Sequence, residues 1–132
     1  MDEQELPYLS GQDLVDCLTD PTRRVVVVDI RGHDVGSRVI HTAVNVPSSK
    51  FPRYIPKLIS TYGTYDLMVF HCMRSMCRGP RCARQMAEAL RSHPECPVRV
   101  ALLAGGFQQF AADFRARPEL FDAVGPTTRL SL

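Results

Sequence analysis

Four β-branched residues in succession, Val25-Val26-Val27-Val28, limit this chain more than any other stretch. Val and Ile fit a pleated strand better than a helix, and a continuous apolar run means that both faces of the strand are covered. Leu67-Met68-Val69-Phe70 is a second apolar run, and Val98 to Leu103 and Ala43-Val44-Asn45-Val46, the latter stopped by Pro47, read as two further short strands. Between them lie helix-period segments. Ser10 with Asp13 three residues on reads as a helix start, Leu14, Val15, Cys17 and Leu18 give that helix an apolar stripe, and Asp20-Pro21 ends it. Phe51 to Ile59 has helical spacing but carries Pro52 and Pro56. Cys82, Ala83, Met86, Ala87 and Leu90 recur at helical spacing behind Gly79-Pro80. Phe107, Phe110, Ala111 and Phe114 follow a Gly105-Gly106 turn in the same way. Strands alternating with helices predict an α/β layered fold around a mostly parallel central sheet of about five strands, with helices on its flanks.

The 132 residues suit one domain over 1–132, and no repeat, low-complexity tract or linker divides them. No apolar run reaches membrane-spanning length. Met1-Asp2-Glu3-Gln4-Glu5 is acidic where a signal peptide would be basic, so the expectation is a cytoplasmic protein. Five cysteines in such a compartment read as thiols rather than bridges. A net charge of +2, with no basic stripe among aromatics, argues against nucleic acid. The 16 basic residues are all arginine except Lys50 and Lys57, and Arg74, Arg78, Arg81 and Arg84 are clustered. Arginine is the side chain fitted to bidentate recognition of oxyanions.

That cluster begins where the Leu67–Phe70 strand ends. His71-Cys72-Met73-Arg74-Ser75-Met76-Cys77-Arg78 joins a buried strand to a helix start. In parallel sheets ligands bind beyond the carboxyl ends of strands. A tightly curled loop turns its backbone N–H groups into a nest, and the helix start adds its own unpaired N–H groups. Such a field holds an oxyanion and stabilises a thiolate, which makes Cys72 the expected nucleophile. Arg78 is the expected clamp on the anion. His71 is expected to fix the loop by bonding to backbone, and Ser75 to donate to the thiolate. Met73, Arg74 and Met76 lie on the loop's outer side, either as contacts for substrate or a thiol partner or as side chains without a task. Cys77 is either a resolving thiol or an incidental exposed one; Cys82 reads as a small packed hydrophobe, Cys17 as core and Cys96 as a loop residue. A metal site built on Cys72, Cys77, Cys82 and His71 does not match the usual ligand pairs, so none is expected. His33, His41 and His93 show no partner pattern and read as surface or turn residues.

Phe70-His71-Cys72 through Arg78-Gly79-Pro80-Arg81 resembles the active-site motif of the M-phase inducer phosphatases. Arg78-Gly79-Pro80 with Cys82-Ala83-Arg84 is similar to the related eukaryotic arsenate reductases. Both have the rhodanese fold. Val28-Asp29-Ile30-Arg31, Ala43-Val44-Asn45-Val46-Pro47 and Leu103-Ala104-Gly105-Gly106-Phe107 resemble further signatures of that fold, in the same order, so that the likeness runs from about Leu9 to about Phe121. One departure is clear: Arg38-Val39-Ile40-His41-Thr42 stands where the family usually has Gly-His-Ile, one residue and then Gly.

The resemblance implies a cysteine enzyme acting on arsenate, on pentavalent antimony, or on phosphate esters. Cys72 to Arg78 spans seven residues, the length it associates with phosphate or arsenate, where sulfurtransferases have six. A phosphatase needs an acid to protonate its leaving group. Met73 to Cys77 contains no carboxylate, and Asp29 reads as the structural partner of Arg31. That balance favours a thiol-dependent arsenate or antimonate reductase, with a protein tyrosine or dual-specificity phosphatase as the alternative. The resemblance further implies no bound cofactor, with glutathione and glutaredoxin as reductants.

Overall fold

The structure, a computed structural model, describes residues 5–132; Met1 to Gln4, part of the acidic start read above, lies outside the described residues. Eleven elements position the site: β1 (Tyr8–Leu9), α1 (Gly11–Leu18), β2 (Val25–Asp29), β3 (Arg38–Ile40), β4 (Val44–Asn45), α2 (Phe51–Tyr62), β5 (Leu67–His71), α3 (Arg78–Leu90), β6 (Arg99–Leu103), α4 (Gly106–Asp113) and β7 (Phe121–Ala123).

Five strands form one parallel sheet in the order β1-β6-β5-β2-β4. Alternation along β2 and β5 explains why their sequences are apolar throughout. Val26, Val28, Met68 and Phe70 pack against Phe51, Leu58 and Ile59 of α2 and Cys82, Ala83 and Met86 of α3. Val27, Leu67 and Val69 pack on the other face, with Leu14 and Val15 of α1 and Phe107 and Phe110 of α4. Successive side chains thus enter two different cores. Phe51 meets Phe70 edge to face with centroids 5.6 Å apart. Complete burial of a side chain of this size contributes about 1.5–3 kcal/mol.

The helix start expected at Ser10 is present on α1 and takes the form of a capping box: Ser10 Oγ accepts from the Asp13 amide, and Asp13 accepts from the Ser10 amide. The helix α2 runs three residues beyond the expected Ile59, with Pro52 in its first turn and Pro56 inside it. Both prolines are exposed, and Pro56, lacking an amide hydrogen, leaves the Pro52 carbonyl without its helical donor.

Sequence patterning passed over β1, two residues long, and the antiparallel pair β3–β7. That pair accommodates the departure at Arg38–Thr42. Thr42 takes φ +66°, the left-handed region that the usual glycine enters without cost. Its amide donates to Asp122 Oδ2 at 2.7 Å, and Asp122 Oδ1 lies 2.8 Å from His41 Nδ1. His41, read as a surface or turn residue, is exposed in this turn and pairs with a carboxylate on β7 brought opposite by strand pairing.

No described helix is long and apolar enough to cross a membrane.

Candidate active site

The site lies at the carboxyl ends of β2, β5 and β6. Cys72 follows β5 directly and is only 3% exposed. The chain curls between it and α3 because Ser75 adopts φ +56°. That turn aims the Ser75 amide at Cys72 Sγ at 3.1 Å, while the Gly79 amide approaches from the first turn of α3 at 3.4 Å. Burial alone would push the Cys72 thiol up; the backbone amides of Gly79, Arg74, Ser75 and Met76 together outweigh it, and the pKa falls below the usual thiol range. The hydroxyl of Ser75, expected to donate to sulfur, is not the donor. Oγ is buried without a hydrogen-bond partner among the described residues, because the left-handed turn gives the backbone amide that place.

Gly106 holds the loop in this shape, whereas a Cβ on Gly79 would make only ordinary contacts, 3.5 Å from Cys72 Sγ and 3.4 Å from its amide nitrogen. Gly106 takes φ +64°, and a Cβ there would lie 2.5 Å from the Met73 carbonyl oxygen and 2.7 Å from that of Cys72. This close approach lets the first turn of α4 serve the loop: the Phe107 amide donates to Cys72 O at 3.0 Å and the Gln108 amide to Met73 O at 2.9 Å. Carbonyls are drawn toward α4, and amides are left facing sulfur.

His71 is fully buried, and its Nδ1 lies 3.0 Å from the Cys72 carbonyl oxygen. Only a donor can bond there, so Nδ1 carries the proton. Burial keeps the imidazole neutral despite Asp29, whose Oδ2 is 3.8 Å from Nε2. The Asp29 carboxylate is committed elsewhere. Arg31 Nε donates to both of its oxygens at 3.0 Å and Nη2 to Oδ2 at 2.6 Å, with Arg31 and Asp29 1% and 0% exposed. The Asn45 side chain donates to the carbonyls of Asp29 and Arg31 at 2.8 and 2.9 Å, fixing the chain as it leaves β2.

That chain carries Asp34 to the mouth of the loop. The expected bidentate grip of Arg78 exists, but Asp34 occupies it: Nη1 donates to Oδ1 at 3.0 Å and Nη2 to Oδ2 at 2.5 Å. Sequence reasoning searched the loop and Asp29 for a carboxylate and missed this one. The signal available was position, since residues just past the end of a parallel strand face the same crevice as Cys72. The Arg78 hydrogen bonds hold the Asp34 carboxyl down at about 2. Asp34 in turn raises the Arg78 pKa, and Cys72 adds to this from the loop side.

A cavity of about 340 Å³ opens over the loop, lined by Cys72, Met73, Arg74, Met76, Cys77 and Arg78. No family model matches the sequence. Individual proteins do. Over 89 residues the chain is 33% identical to arsenate reductase 2.2 of Oryza sativa subsp. japonica, covering 67% of each. The chain belongs to the rhodanese-fold phosphatase and arsenate reductase family. Dual specificity phosphatase ibp1 of Schizosaccharomyces pombe is 28% identical over 87 residues, and the chain spans 63% of its length. Among solved structures, the As–Sb reductase from Leishmania major superposes with a TM-score of 0.74 at 26% identity, covering 96% of this chain and 92% of that one. A yeast protein tyrosine phosphatase of the rhodanese family, 21% identical, gives 0.77 over 92% and 95% and shares the fold.

Within this rhodanese-fold site the remaining thiols differ sharply. Cys77 is exposed at the cavity and precedes α3. Cys82 is in the core, where burial raises its thiol to about 11 and makes it inert as a nucleophile. Arg74 reaches over the rim, with Nε donating to Gln108 Oε1 at 3.1 Å. Met73 packs partly inward, whereas Met76 is 75% exposed. Cys96 lies at the other end of the sheet, near His93 and Glu95, with ligand atoms of the three within 4.8 Å of one another.

Proposed function

We propose that this protein reduces arsenate, and pentavalent antimony by the same route, with Cys72 as nucleophile. The observation that carries the reading is the set of backbone amides converging on a nearly buried Cys72 Sγ beneath a cavity of about 340 Å³. A small tetrahedral oxyanion fits such a cradle, and developing charge on its oxygens meets backbone amides already in place. Cys72 thiolate attacks arsenic, an As–S bond forms, and an arsenate oxygen leaves as water once protonated. Two external thiols then complete the turnover: glutathione adds to arsenic as a second oxygen leaves as water, the glutaredoxin thiolate attacks the glutathione sulfur so that its bond to arsenic breaks and a mixed disulfide departs, and water displaces Cys72 from the resulting arsenic(III), releasing arsenite and the thiolate. Two thiols become one disulfide and arsenic(V) becomes arsenic(III). Exposed Cys77 offers a thiol at the same opening and is a second route for that exchange. No bound cofactor enters this chemistry.

The named relatives divide between arsenate reductases and phosphatases. A second reading, hydrolysis of tyrosine or dual-specificity phosphoester substrates, gains weight from Asp34, a carboxyl group bonded to the cavity-lining Arg78 where the loop itself has none.

Parallel assays of wild type and Cys72→Ser test both readings: arsenate reduction with glutathione and glutaredoxin, and aryl phosphate hydrolysis. Arsenate turnover that vanishes in the variant, with weak hydrolysis, supports the reductase. Rapid hydrolysis without reduction supports the phosphatase, and activity retained by Cys72→Ser would sink both.

A further inference from the structure

Arg78 lines the cavity beside Cys72 and interacts with its charge, and both of its terminal nitrogens are held by Asp34. An oxyanion above Cys72 needs the same two donors. The two anions therefore compete for one fork. Asp34 and Arg78 are 36% and 33% exposed, so exchange does not require opening the core. Asp34 sits on a short turn, His33–Val35, between Gly32 and Gly36, and neither glycine has a side chain to obstruct its movement. Its other anchors are local, the Gly32 amide donating to Oδ1 at 3.1 Å.

Resting on the oxyanion-cysteine reading above, we propose that Asp34 is the exchangeable anion of this site and its proton donor. It holds Arg78 until an oxyanion displaces it, and then, released beside the bound dianion, it protonates the leaving oxygen. The charged group facing it is Arg78 from α3, which itself interacts with Cys72, and His33 is its neighbour on the same turn. Losing Arg78 and gaining a neighbouring dianion both favour the protonated carboxyl, so proton affinity rises when a donor is needed.

The step balances once the released Asp34 carboxylate has taken up a proton from solvent. Cys72 Sγ bonds to phosphorus or arsenic, the bond from that atom to the leaving oxygen breaks, and the oxygen takes the Asp34 proton to leave as alcohol, phenol or water. In hydrolysis the Asp34 carboxylate then accepts a proton from the attacking water as the S–P bond breaks and returns Cys72 as thiolate. A donor in this position contributes about 10²- to 10⁴-fold, and more to a poor leaving group than to a good one.

Three proteins decide it: wild type, Asp34→Asn and Asp34→Glu. Tungstate affinity is measured by calorimetry, alongside kcat/KM against pH for phenyl phosphate and p-nitrophenyl phosphate and for arsenate reduction. Asp34→Asn is expected to bind tungstate several-fold tighter, because Arg78 is freed. It is also expected to lose about 10²-fold or more on phenyl phosphate, much less on p-nitrophenyl phosphate, together with the basic limb of the pH profile, while Asp34→Glu recovers part of each. Unchanged or weaker tungstate binding, or an equal loss on both esters, would make Asp34 a structural tether of Arg78 and overturn the proposal. A wild type inert toward both esters and arsenate fails the underlying reading, a result separate from an active wild type with an indifferent Asp34→Asn.

Discussion

A thiol as enclosed as Cys72 would ordinarily titrate high, and its reversal depends on which way a few peptide units face. Gly106 decides that orientation through the carbonyls of Cys72 and Met73. Gly106→Ala places a methyl group at φ +64° against backbone oxygens that cannot yield cheaply. The expected cost is about 1–3 kcal/mol in urea unfolding, with alkylation of Cys72 slowed at neutral pH. Arg31 behaves differently, because its loss strands a buried carboxylate. Arg31→Met should destabilise by about 3–5 kcal/mol, read as a lowered urea midpoint. Much of this was legible from residues alone: His71, Cys72 and Arg78 in one loop, and Asp29 beside Arg31. Asp34 was not, because its partner is 44 positions away and only the return of the chain past β2 brings them together. The role of Ser75 was misread for a related reason, since residue type points to the hydroxyl while a positive φ presents the amide.

The elements carry a second lesson in β3 and the turn after it. A β-branched residue in the left-handed region is strained, and Thr42 tolerates it because Asp122 of β7 binds both its amide and His41. Thr42→Gly removes the strain while keeping the amide bond, so thermal unfolding should show stabilisation of up to about 1 kcal/mol, reduced by the greater freedom of glycine in the unfolded chain. Destabilisation would mean that the Thr42 side chain matters more than its backbone. Strands β2, β5 and β6 were readable because two-sided burial leaves continuous apolar runs. β1, β3 and β7 were not, since segments of two or three residues show no period and owe their existence to neighbours.

Across the molecule, helices on both faces of a parallel sheet leave its carboxyl edge as the place where loops from β2, β5 and β6 meet, and the ionic pair Asp34–Arg78 joins two of them. Its pH dependence has a definite sign. The Asp34 carboxyl falls from 3.8 to about 2 in the folded protein, so the pair's contribution is complete above about pH 4 and lost as pH falls through 2. The difference in stability between wild type and Asp34→Asn should narrow over that window; a constant difference would mean the pair does not couple to folding. The central claim is that this edge presents an activated thiolate in an oxyanion cradle. Its most direct test is the rate of iodoacetamide alkylation at Cys72 against pH, resolved from the other cysteines by peptide mass spectrometry, with and without tungstate. Half-maximal reactivity is expected below the pH of an ordinary cysteine, with protection by tungstate. An ordinary thiol titration that tungstate leaves unchanged would contradict the claim.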